Sequence, residues 1–309
     1  MAVKNAHTVT KGYLKGFTIK GKSSNKMICV YDKEKGGQPV IRSIKKYPTE
    51  EFYYAQEDKE GKLTNDAMEQ ALGGMENLVI PIIRSLRGRV GQKVELPGEE
   101  IGFLAFFVAI SMTRVPSVRE PIRKLNEEMA KRVFNNLKDV GELPEVPDIL
   151  KGVSLKLVAK NWATLGPMIT MADEISQSMV NKYWEFFLPA PGMTFVTSDN
   201  PVFFKCNENE LMGPANPLSE ICMPLRKDLA LVCSPLTKVK TSERSQCHGL
   251  IFQFDEKDTV KFNKDITWAA RRYIFADFKS KEMVKLVSDL KDTEQTISFD
   301  GFGEGKIVI

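Results

Sequence analysis

The feature that most constrains the fold is a run of twelve residues without a charged side chain, Ile101 to Met112. Pro97 precedes this run and Pro116 follows it, a pattern that predicts a helix bounded by the two prolines. Apolar residues occur on every side of the predicted helix, so it has no polar face to turn toward water. It is also too short to span a bilayer. We therefore expect a central buried helix with Arg114 at its end.

The chain around this helix is long enough to bury it. It has 309 residues, of which 42% are hydrophobic and 27% are charged, a composition typical of soluble globular proteins. The first ten residues lack the apolar segment of a secretory signal. Five cysteines are scattered without a Cys-x-x-Cys pair, so no disulfide framework is expected. These observations predict a cytoplasmic protein without a membrane partner, and they leave the oligomeric state open.

The predicted elements run in the order strands, helices, strands, helices. Residues 9–32 are interpreted as a β-hairpin with its turn at residues 21–25. A helix with Glu69 and Glu76 on one face follows, and Pro81 is expected to kink or end it. Further helices are predicted over 117–137, 149–165, 167–183, 266–275 and 281–290. Further strands are predicted over 39–44, 184–188, 194–197, 202–205, 221–225 and 229–233, with 274–276 as an alternative strand.

Because strands and helices do not alternate regularly, this order favours an α+β fold over a doubly wound parallel sheet. We predict one large domain over residues 1–309. A sub-boundary is expected near residues 141–148, where Pro144 and Pro147 mark a connection. The predicted central helical layer packs on a mainly antiparallel sheet, which is built from the N-terminal and the C-terminal strands.

A polar turn, Ser198-Asp199-Asn200-Pro201, lies between two segments rich in Val, Thr and Phe. Short polar side chains bond to nearby backbone and favour turns, and the proline biases Asn200 away from helix. The flanking segments have the composition of buried strands. We therefore expect the turn to lie at the edge of the core. Its side chains are candidates for a functional site or for a structural junction between two strands.

Positive charge is concentrated at one end of the chain. Residues 1–47 contain eleven lysines and arginines against two acids, a net charge of +9, whereas the whole chain has a net charge of +4. Such asymmetry is a feature of proteins that bind polyanions. Nucleic acid is therefore a candidate partner for the segment from Lys11 to Lys46. The alternative is a lysine-rich hairpin that contacts only solvent.

Several motifs occur in an order that resembles one protein family. His7, Tyr13, Leu14 and Phe17 match the pattern His-x-x-Pro-x-x-Tyr-Leu-x-x-Phe, with Thr10 in place of the proline. Further matches are Phe52-Tyr53, Glu69 and Glu76, Phe107-Val108-Ala109, Arg114-x-Pro116, Thr197 to Val202, Pro224-Leu225 and Asn263. A second departure is Ser111, where a glutamine is expected. The sequence thus resembles the mostly bacterial domain of unknown function family 4238, which implies a shared fold and no defined activity.

The polar residues of these motifs are the components of an acid and base site with an anion binder. His7 can act as general acid or base near neutral pH, Glu76 or Asp199 can orient it or hold a divalent metal, and Arg114 can bind a phosphate. No residue is assigned as a metal ligand. The adjacent Cys247-His248 pair is not expected to hold zinc, because neighbouring residues rarely face one metal. Candidate substrate-binding residues are Lys11, Tyr13, Ser198 and Asn200.

Each candidate also has a structural interpretation. His7 can bridge the first strand, and Glu69 and Glu76 can pair with nearby cations. Arg114 can form a buried ion pair with a carboxylate such as Asp199, which is the interpretation that we favour for this residue. The chain has no Gly-rich phosphate loop and no Gly-x-Ser-x-Gly motif. Nucleotide sites of the usual kinds and a serine nucleophile are therefore not expected.

Three functions remain as hypotheses. The first is a hydrolase, in particular a nuclease, that acts on a phosphodiester through His7, Glu76, Arg114 and Asp199. The second is a non-catalytic module that binds nucleic acid or an acidic partner through the basic N-terminal segment. The third is a structural or regulatory component of a bacterial defence system. We rank the hydrolase first, because its polar residues and the basic segment together suit a polyanionic substrate.

Overall fold

The computed structural model describes residues 5–19, 26–57, 60, 63–64, 66–86, 88, 90–142, 158–205, 213–238 and 249–296. Within these ranges the helices and the mainly antiparallel sheets occupy separate parts of the chain, so the predicted α+β class is confirmed. Residues 143–148 of the predicted connection at 141–148, residues 149–157 of the helix predicted over 149–165, and the Cys247-His248 pair lie outside the described residues. In the described part of that predicted helix, Asn161–Thr164 form a 3-10 turn.

The elements are numbered in chain order. The helices are α1 Lys11–Leu14, α2 Asp66–Ser85, α3 Gly98–Thr113, α4 Pro116–Asp139, α5 Leu165–Val180, α6 Glu256–Ala269 and α7 Lys281–Asp289. The strands are β1 Asn5–His7, β2 Met27–Asp32, β3 Val40–Ser43, β4 Thr49–Glu51, β5 Gln56–Glu57, β6 Leu63–Thr64, β7 Tyr183–Leu188, β8 Thr197–Ser198, β9 Phe203–Lys205, β10 Glu220–Arg226, β11 Leu229–Ser234, β12 Ile251–Gln253 and β13 Tyr273–Ala276.

Helix α3 is the central buried element that the apolar run predicts. Every residue from Phe107 to Thr113 is buried, and the helix packs against α2 and α5. It ends at Thr113, Arg114 is its C-terminal cap, and Pro116 begins α4. An arginine therefore lies in the interior at the end of this buried helix. Among the described residues, no single helix is long and apolar enough to cross a membrane; α3 and α4 pass that test only together, as a pair bent by 61°.

The predicted hairpin over residues 9–32 is wrong in its first arm. Residues 11–17 form α1 and a following 3-10 turn instead of a strand. Thr10 caps this helix by accepting the Tyr13 N–H at 3.2 Å, and Tyr13, Leu14 and Phe17 then bury the same side. A hairpin does occur later, where β2 pairs with β3. Strand β3 lies at the edge of its sheet, with Val40 and Ile41 39% and 42% exposed.

Two main sheets replace the single predicted sheet. One has the strand order β3-β2-β13-β8 and combines N-terminal with C-terminal strands, as expected. The other has the order β12-β7-β11-β10-β9, with β12 parallel to β7 and the other pairs antiparallel. The turn at Ser198 to Pro201 joins β8 of the first sheet to β9 of the second. Two strands do meet at this turn, but they belong to different sheets.

Three helix predictions need correction. Helix α2 continues through Pro81, since Val79 and Ile83 on either side are buried in the core. Helix α5 includes Gly166-Pro167 in its first turn, where a proline needs no intrahelical hydrogen bond. The helix predicted at 266–275 ends at Ala269 as part of α6, and the alternative strand is correct as β13, because its side chains complete the sheet between β2 and β8.

Candidate functional site

The first strand brings His7 to the end of the central helix. β1 pairs with β4, so that His7 lies opposite Thr49. The His7 carbonyl accepts two hydrogen bonds, one from Arg114 Nη2 at 2.7 Å and one from the Tyr54 hydroxyl at 3.1 Å. The side chain of Arg114 therefore holds the backbone of His7 at the end of α3.

Arg114 is the residue that ties these elements together. Its side chain donates through Nε to the Tyr54 hydroxyl at 2.8 Å, and Nη1 lies 3.9 Å from Glu76 Oε1. The residue is 4% exposed. Arg114 therefore pairs with Glu76 of α2 and not with Asp199, contrary to the structural pairing that the sequence favours. We call His7, Tyr54, Glu69, Glu76 and Arg114 the His7 cluster.

The imidazole of His7 is held in its neutral form. Burial and the positive charges of Lys11 and Arg114 together lower its pKa to about 4, and a hydrogen bond to the Ile44 backbone opposes this shift. Nε2 of this ring is buried without a hydrogen-bond partner among the described residues. A neutral imidazole with one nitrogen bonded to the backbone and the other unpaired is arranged as a proton acceptor.

The carboxyl group of Glu76 is shifted in the opposite direction. Burial raises the pKa of Glu76, the Arg114 charge lowers it, and the nearby Glu69 raises it again. The side chain is 26% exposed, so solvent reaches it. A Cβ added at Gly12 would lie 3.1 Å from Ile80 Cγ1 and 3.5 Å from Glu76 Oε2, which places α1 directly against α2 at this point. Glu76 can therefore carry a proton at a higher pH than an exposed glutamate.

Glu69 gives the cluster a second unpaired atom. Its Oε1 is buried without a hydrogen-bond partner among the described residues. Buried polar atoms are normally paired, so His7 Nε2 and Glu69 Oε1 each call for an explanation such as an enclosed water or a ligand. In the described part of the chain, no group of three or more His, Cys, Asp or Glu side chains is arranged to hold a metal ion.

The polar side chains of the Ser198 to Asn200 turn bond to backbone groups. Asp199 accepts three backbone N–H groups, from Arg271 at 3.0 Å and from Arg272 and Tyr273 at 2.9 Å each. Burial raises the pKa of Asp199 to about 6, although these bonds and the charge of Lys33 oppose the shift. Asp199 thus fixes the residues that enter β13, and its three hydrogen bonds go to these backbone groups. Thr8 and Thr49, which lie beside and opposite His7, line the same cavity as Asp199.

The other predicted binding residues of this region are interior. Ser198 Oγ donates to the Asn200 carbonyl at 2.7 Å, and Asn200 Nδ2 donates to the carbonyls of Ala269 and Gln295. The Tyr13 hydroxyl lies 2.7 Å from Thr197 Oγ1 and 2.6 Å from the carbonyl of Pro224.

Tyr13 is 2% exposed, and Ser198 and Asn200 are buried as well. Their hydrogen bonds hold three distant segments to one another. A substrate approaching from solvent meets none of these three side chains in this structure. Lys11 differs, because it is exposed on α1.

The basic segment presents its charge to solvent with one exception. Lys33 is 2% exposed, and its Nζ donates to the carbonyls of Ala270 at 2.7 Å and Thr293 at 2.8 Å. Burial lowers the pKa of Lys33 to about 8. Lys33 therefore supports the C-terminal end of α6. The exposed cations of the segment are Lys11, Lys15, Lys26, Lys35, Arg42, Lys45 and Lys46; lysines 4, 20 and 22 lie outside the described residues.

A cavity of about 250 Å³ adjoins the Asp199 turn. Ser117, Arg271 and Arg272 line it together with Asp199 and Glu50. The sequence did not indicate the first three residues as functional candidates, nor Tyr54 as a partner of Arg114. The one local signal was the Arg271-Arg272 pair directly before an apolar strand, because two adjacent arginines at a strand entry need polar partners.

The comparison with protein families settles the resemblance noted in the sequence. Residues 5–280 match the model of the family described as Protein of unknown function (DUF4238). The chain belongs to the DUF4238 family. No curated protein and no solved structure matches it. Membership in DUF4238 covers both the His7 cluster and the Asp199 turn, and it assigns a role to neither.

Proposed function

We propose that the protein is a hydrolase that cleaves a phosphodiester, most simply in a nucleic acid, with His7 as general base and Glu76 as general acid. The observation that carries the proposal is the opposite displacement of two pKa values in one cluster, lowered for His7 and raised for Glu76. Paired groups whose pKa values are pushed apart by their surroundings are typical of acid and base catalysis.

The proposed step uses water as the nucleophile. His7 Nε2 takes a proton from the water, the water oxygen bonds to phosphorus, and the bond from phosphorus to the leaving oxygen breaks. Glu76 gives its proton to that leaving oxygen, and proton exchange with solvent returns both groups to their starting state. Because Nε2 is buried, we expect it to act on an enclosed water and not on the substrate itself.

The other residues have supporting roles in this proposal. Arg114 is a positioning residue, since its contacts go to Tyr54, the His7 carbonyl and Glu76. The exposed Lys11 and Lys15 of the α1 region supply positive charge beside Glu76 that attracts a polyanion. Asp199, predicted as catalytic from the sequence, is not required.

Activity is tested on labelled single-stranded and duplex RNA and DNA, with magnesium, manganese or EDTA. We expect cleavage by the wild type and a loss of at least about a hundredfold in His7→Gln and in Glu76→Gln, the usual scale of acid and base contributions. The matched control is Glu99→Gln, which removes an exposed carboxylate from the first turn of α3. Cleavage that survives in both folded cluster variants contradicts the proposal.

The pH profile gives a second test. The base must be unprotonated, which holds above the His7 pKa of about 4, and the acid must be protonated, which holds only below the raised pKa of Glu76. We therefore expect an optimum on the acid side of neutrality and a decline as pH rises. A profile that increases steadily from pH 5 to 8 would contradict these assigned roles.

A second candidate is binding of nucleic acid without cleavage. It is favoured by the exposed cations of the basic segment, seven of which lie in the described residues. Binding through phosphate contacts weakens steeply with salt, and each lost contact reduces the slope of log affinity against log salt by about one. The measurement compares Lys45→Gln with Lys257→Gln, an exposed lysine of α6. Equal salt slopes in the two variants would exclude a contact at Lys45.

A further inference from the structure

The cavity beside the Asp199 turn has the size of a site for a small group. Its volume is about 250 Å³, below the roughly 300–1,000 Å³ of pockets that enclose whole drug-sized ligands. It lies between the entry to β13 and the start of α4, and β4 forms another wall. The proposed reaction at the His7 cluster does not use it.

The first turn of α4 borders this cavity. Pro116 and Ser117 are the first two residues of this 24-residue helix, and no side chain caps the end. The Val115 carbonyl accepts the N–H groups of Val118 and Arg119. Because Pro116 has no N–H, Ser117 supplies the first backbone donor of the helix. The aligned peptides also place partial positive charge at this end, which favours an anion.

Two buried donors at the cavity lack hydrogen-bond partners among the described residues. One is Ser117 Oγ, whose residue is 3% exposed. The other is Arg271 Nη1, which lies 2.8 Å from Glu120 Oε1 without the geometry of a hydrogen bond. Buried polar atoms of native proteins are rarely left unpaired. The Ser117 hydroxyl is thus without any partner among the described residues, whereas the charge of Arg271 is shared with Glu120. An acceptor bound in the cavity would satisfy that hydroxyl.

Two of the three acidic residues that line the cavity already have hydrogen-bond or ion-pair partners. Asp199 accepts three backbone N–H groups, and Glu34 lies 2.6 Å from Arg272 Nη1. Arg272 also holds Asp32 through two bonds of 3.0 Å. The remaining acid is Glu50, which is exposed on β4. A ligand entering the cavity therefore meets the helix end and Arg271, whose charge is shared with Glu120, with Glu50 at the margin.

We propose that this cavity binds a small oxyanion, a phosphate or carboxylate group, through Ser117, Arg271 and the N-terminal end of α4. This proposal does not rest on the proposed hydrolysis, although Thr8 and Thr49 at the cavity lie beside and opposite His7. Ser117 would donate its hydroxyl to one oxygen of the anion. Arg271 would pair with another, and the ligand would complete the hydrogen bonds that the protein leaves open.

The test is titration calorimetry at constant ionic strength with four probes: inorganic phosphate, methyl phosphate, acetate and methylammonium. We expect saturable binding of at least one of the three anions, and the strongest of them identifies the group. Ser117→Ala should weaken that binding about tenfold, the effect of one hydrogen bond to a charged group. The matched control is Ser178→Ala, which removes another buried unpaired hydroxyl, in α5.

A variant that strengthens binding is also needed, because unfolding can explain a loss of binding but not a gain. Glu50→Gln removes an exposed negative charge from the margin of the cavity, and we expect it to tighten anion binding by about threefold to tenfold. Arg271→Gln should weaken binding at least as much as Ser117→Ala.

Equal anion affinity in the wild type, Ser117→Ala and Glu50→Gln would overturn the proposal. So would preferential binding of methylammonium, or the lack of any anion binding at tens of millimolar. None of these results depends on whether nucleic acid is cleaved.

Discussion

The His7 cluster and the Asp199 turn contain the same kinds of residue, yet they use them differently. At the turn, Asp199 bonds to three backbone N–H groups and Asn200 to two carbonyls. At the cluster, Arg114 contacts another side chain at each of two positions, and His7 Nε2 and Glu69 Oε1 have no partner among the described residues. Asn200 Oδ1 at the turn also lacks a hydrogen-bond partner among the described residues, so the difference lies in the other bonds. Those of the turn go to backbone, whereas Arg114 also bonds to side chains.

In both regions the partners lie far apart along the chain. Asp199 reaches residues more than seventy positions away, and Tyr13 joins Thr197 and Pro224 across a still longer interval. Such contacts close long loops, so their loss should lower the stability of the whole fold. At the cluster, Arg114 reaches Tyr54 and the His7 carbonyl, and the Tyr54 hydroxyl reaches that carbonyl as well.

The largest expected effect is at the turn. Asp199→Ala removes the acceptor of three backbone N–H groups, and we expect it to lower the free energy of unfolding by about 4 kcal/mol. Urea denaturation measures this change. Asp173→Ala, at an exposed position of α5, is the control and should change stability by less than about 0.5 kcal/mol. A mild effect at Asp199 would mean that the turn is not a structural junction.

Arg114→Met tests whether one residue holds the cluster together. It leaves the His7 carbonyl, the Tyr54 hydroxyl and Glu76 without their cation, and we expect a loss of about 3 kcal/mol. The comparison variant is Arg84→Met, an exposed arginine of α2. If Arg114→Met were no more destabilising than Arg84→Met, the cluster would not contribute to the fold, and the contrast with the turn would become sharper.

The pH dependence of stability separates the two regions by sign. The folded pKa of His7, about 4, is below its unfolded value, so its contribution to stability rises between pH 4 and 6.5. The folded pKa of Asp199, about 6, is above its unfolded value, so its contribution falls between pH 3.8 and 6.

His7→Gln should therefore leave stability falling more steeply with pH than in the wild type. After allowance for solvent screening we expect the difference to be roughly 1 kcal/mol across this range. Denaturation midpoints at pH 4.5 and 6.5 measure it, with equal m-values as the check for two-state behaviour. Parallel pH curves for the two proteins would show that His7 is not buried as described.

The smallest expected effect concerns the unpaired carboxylate. Glu69→Gln should change stability by less than about 1 kcal/mol, because Glu69 Oε1 has no partner to lose. It should also lower the pKa of Glu76, since the negative charge of Glu69 raises that pKa. Carboxyl NMR titration measures the shift. An unchanged Glu76 pKa would show that the two glutamates do not act on each other.

The parts of the fold that the sequence predicts are those with strong local patterns. The run Ile101 to Met112 predicts α3 because a helix that is apolar on every side belongs in the protein interior. The segment from Lys11 to Phe17 misleads, because the cap at Thr10 favours a helical turn where the apolar pattern suits a strand equally well.

The composition of the candidate site depends on contacts that no local pattern shows. His7, Glu76, Arg114 and Asp199 are chosen from the sequence by residue type. In the structure Arg114 contacts Glu76 and the His7 carbonyl, whereas Asp199 bonds to the backbone that enters β13. The sequence predicts Lys33 as part of a basic surface segment, yet the side chain is buried and donates to the Ala270 carbonyl at the end of α6. Ser117 carries no signal at all, since an unpaired hydroxyl is visible only once its surroundings are known.

The edge strand β3 bears on how the protein behaves in concentrated solution. Val40 and Ile41 are exposed there, and Arg42 Nη1 donates to the Ile41 carbonyl at 3.2 Å. Lys45 and Lys46 are close by in the chain. Their positive charge should repel the same charge on a second molecule and so hinder the β3 edges of two molecules from pairing. Salt shortens the reach of that repulsion from about 10 Å at 0.1 M to about 3 Å at 1 M. Self-association should therefore begin at this edge when ionic strength is raised.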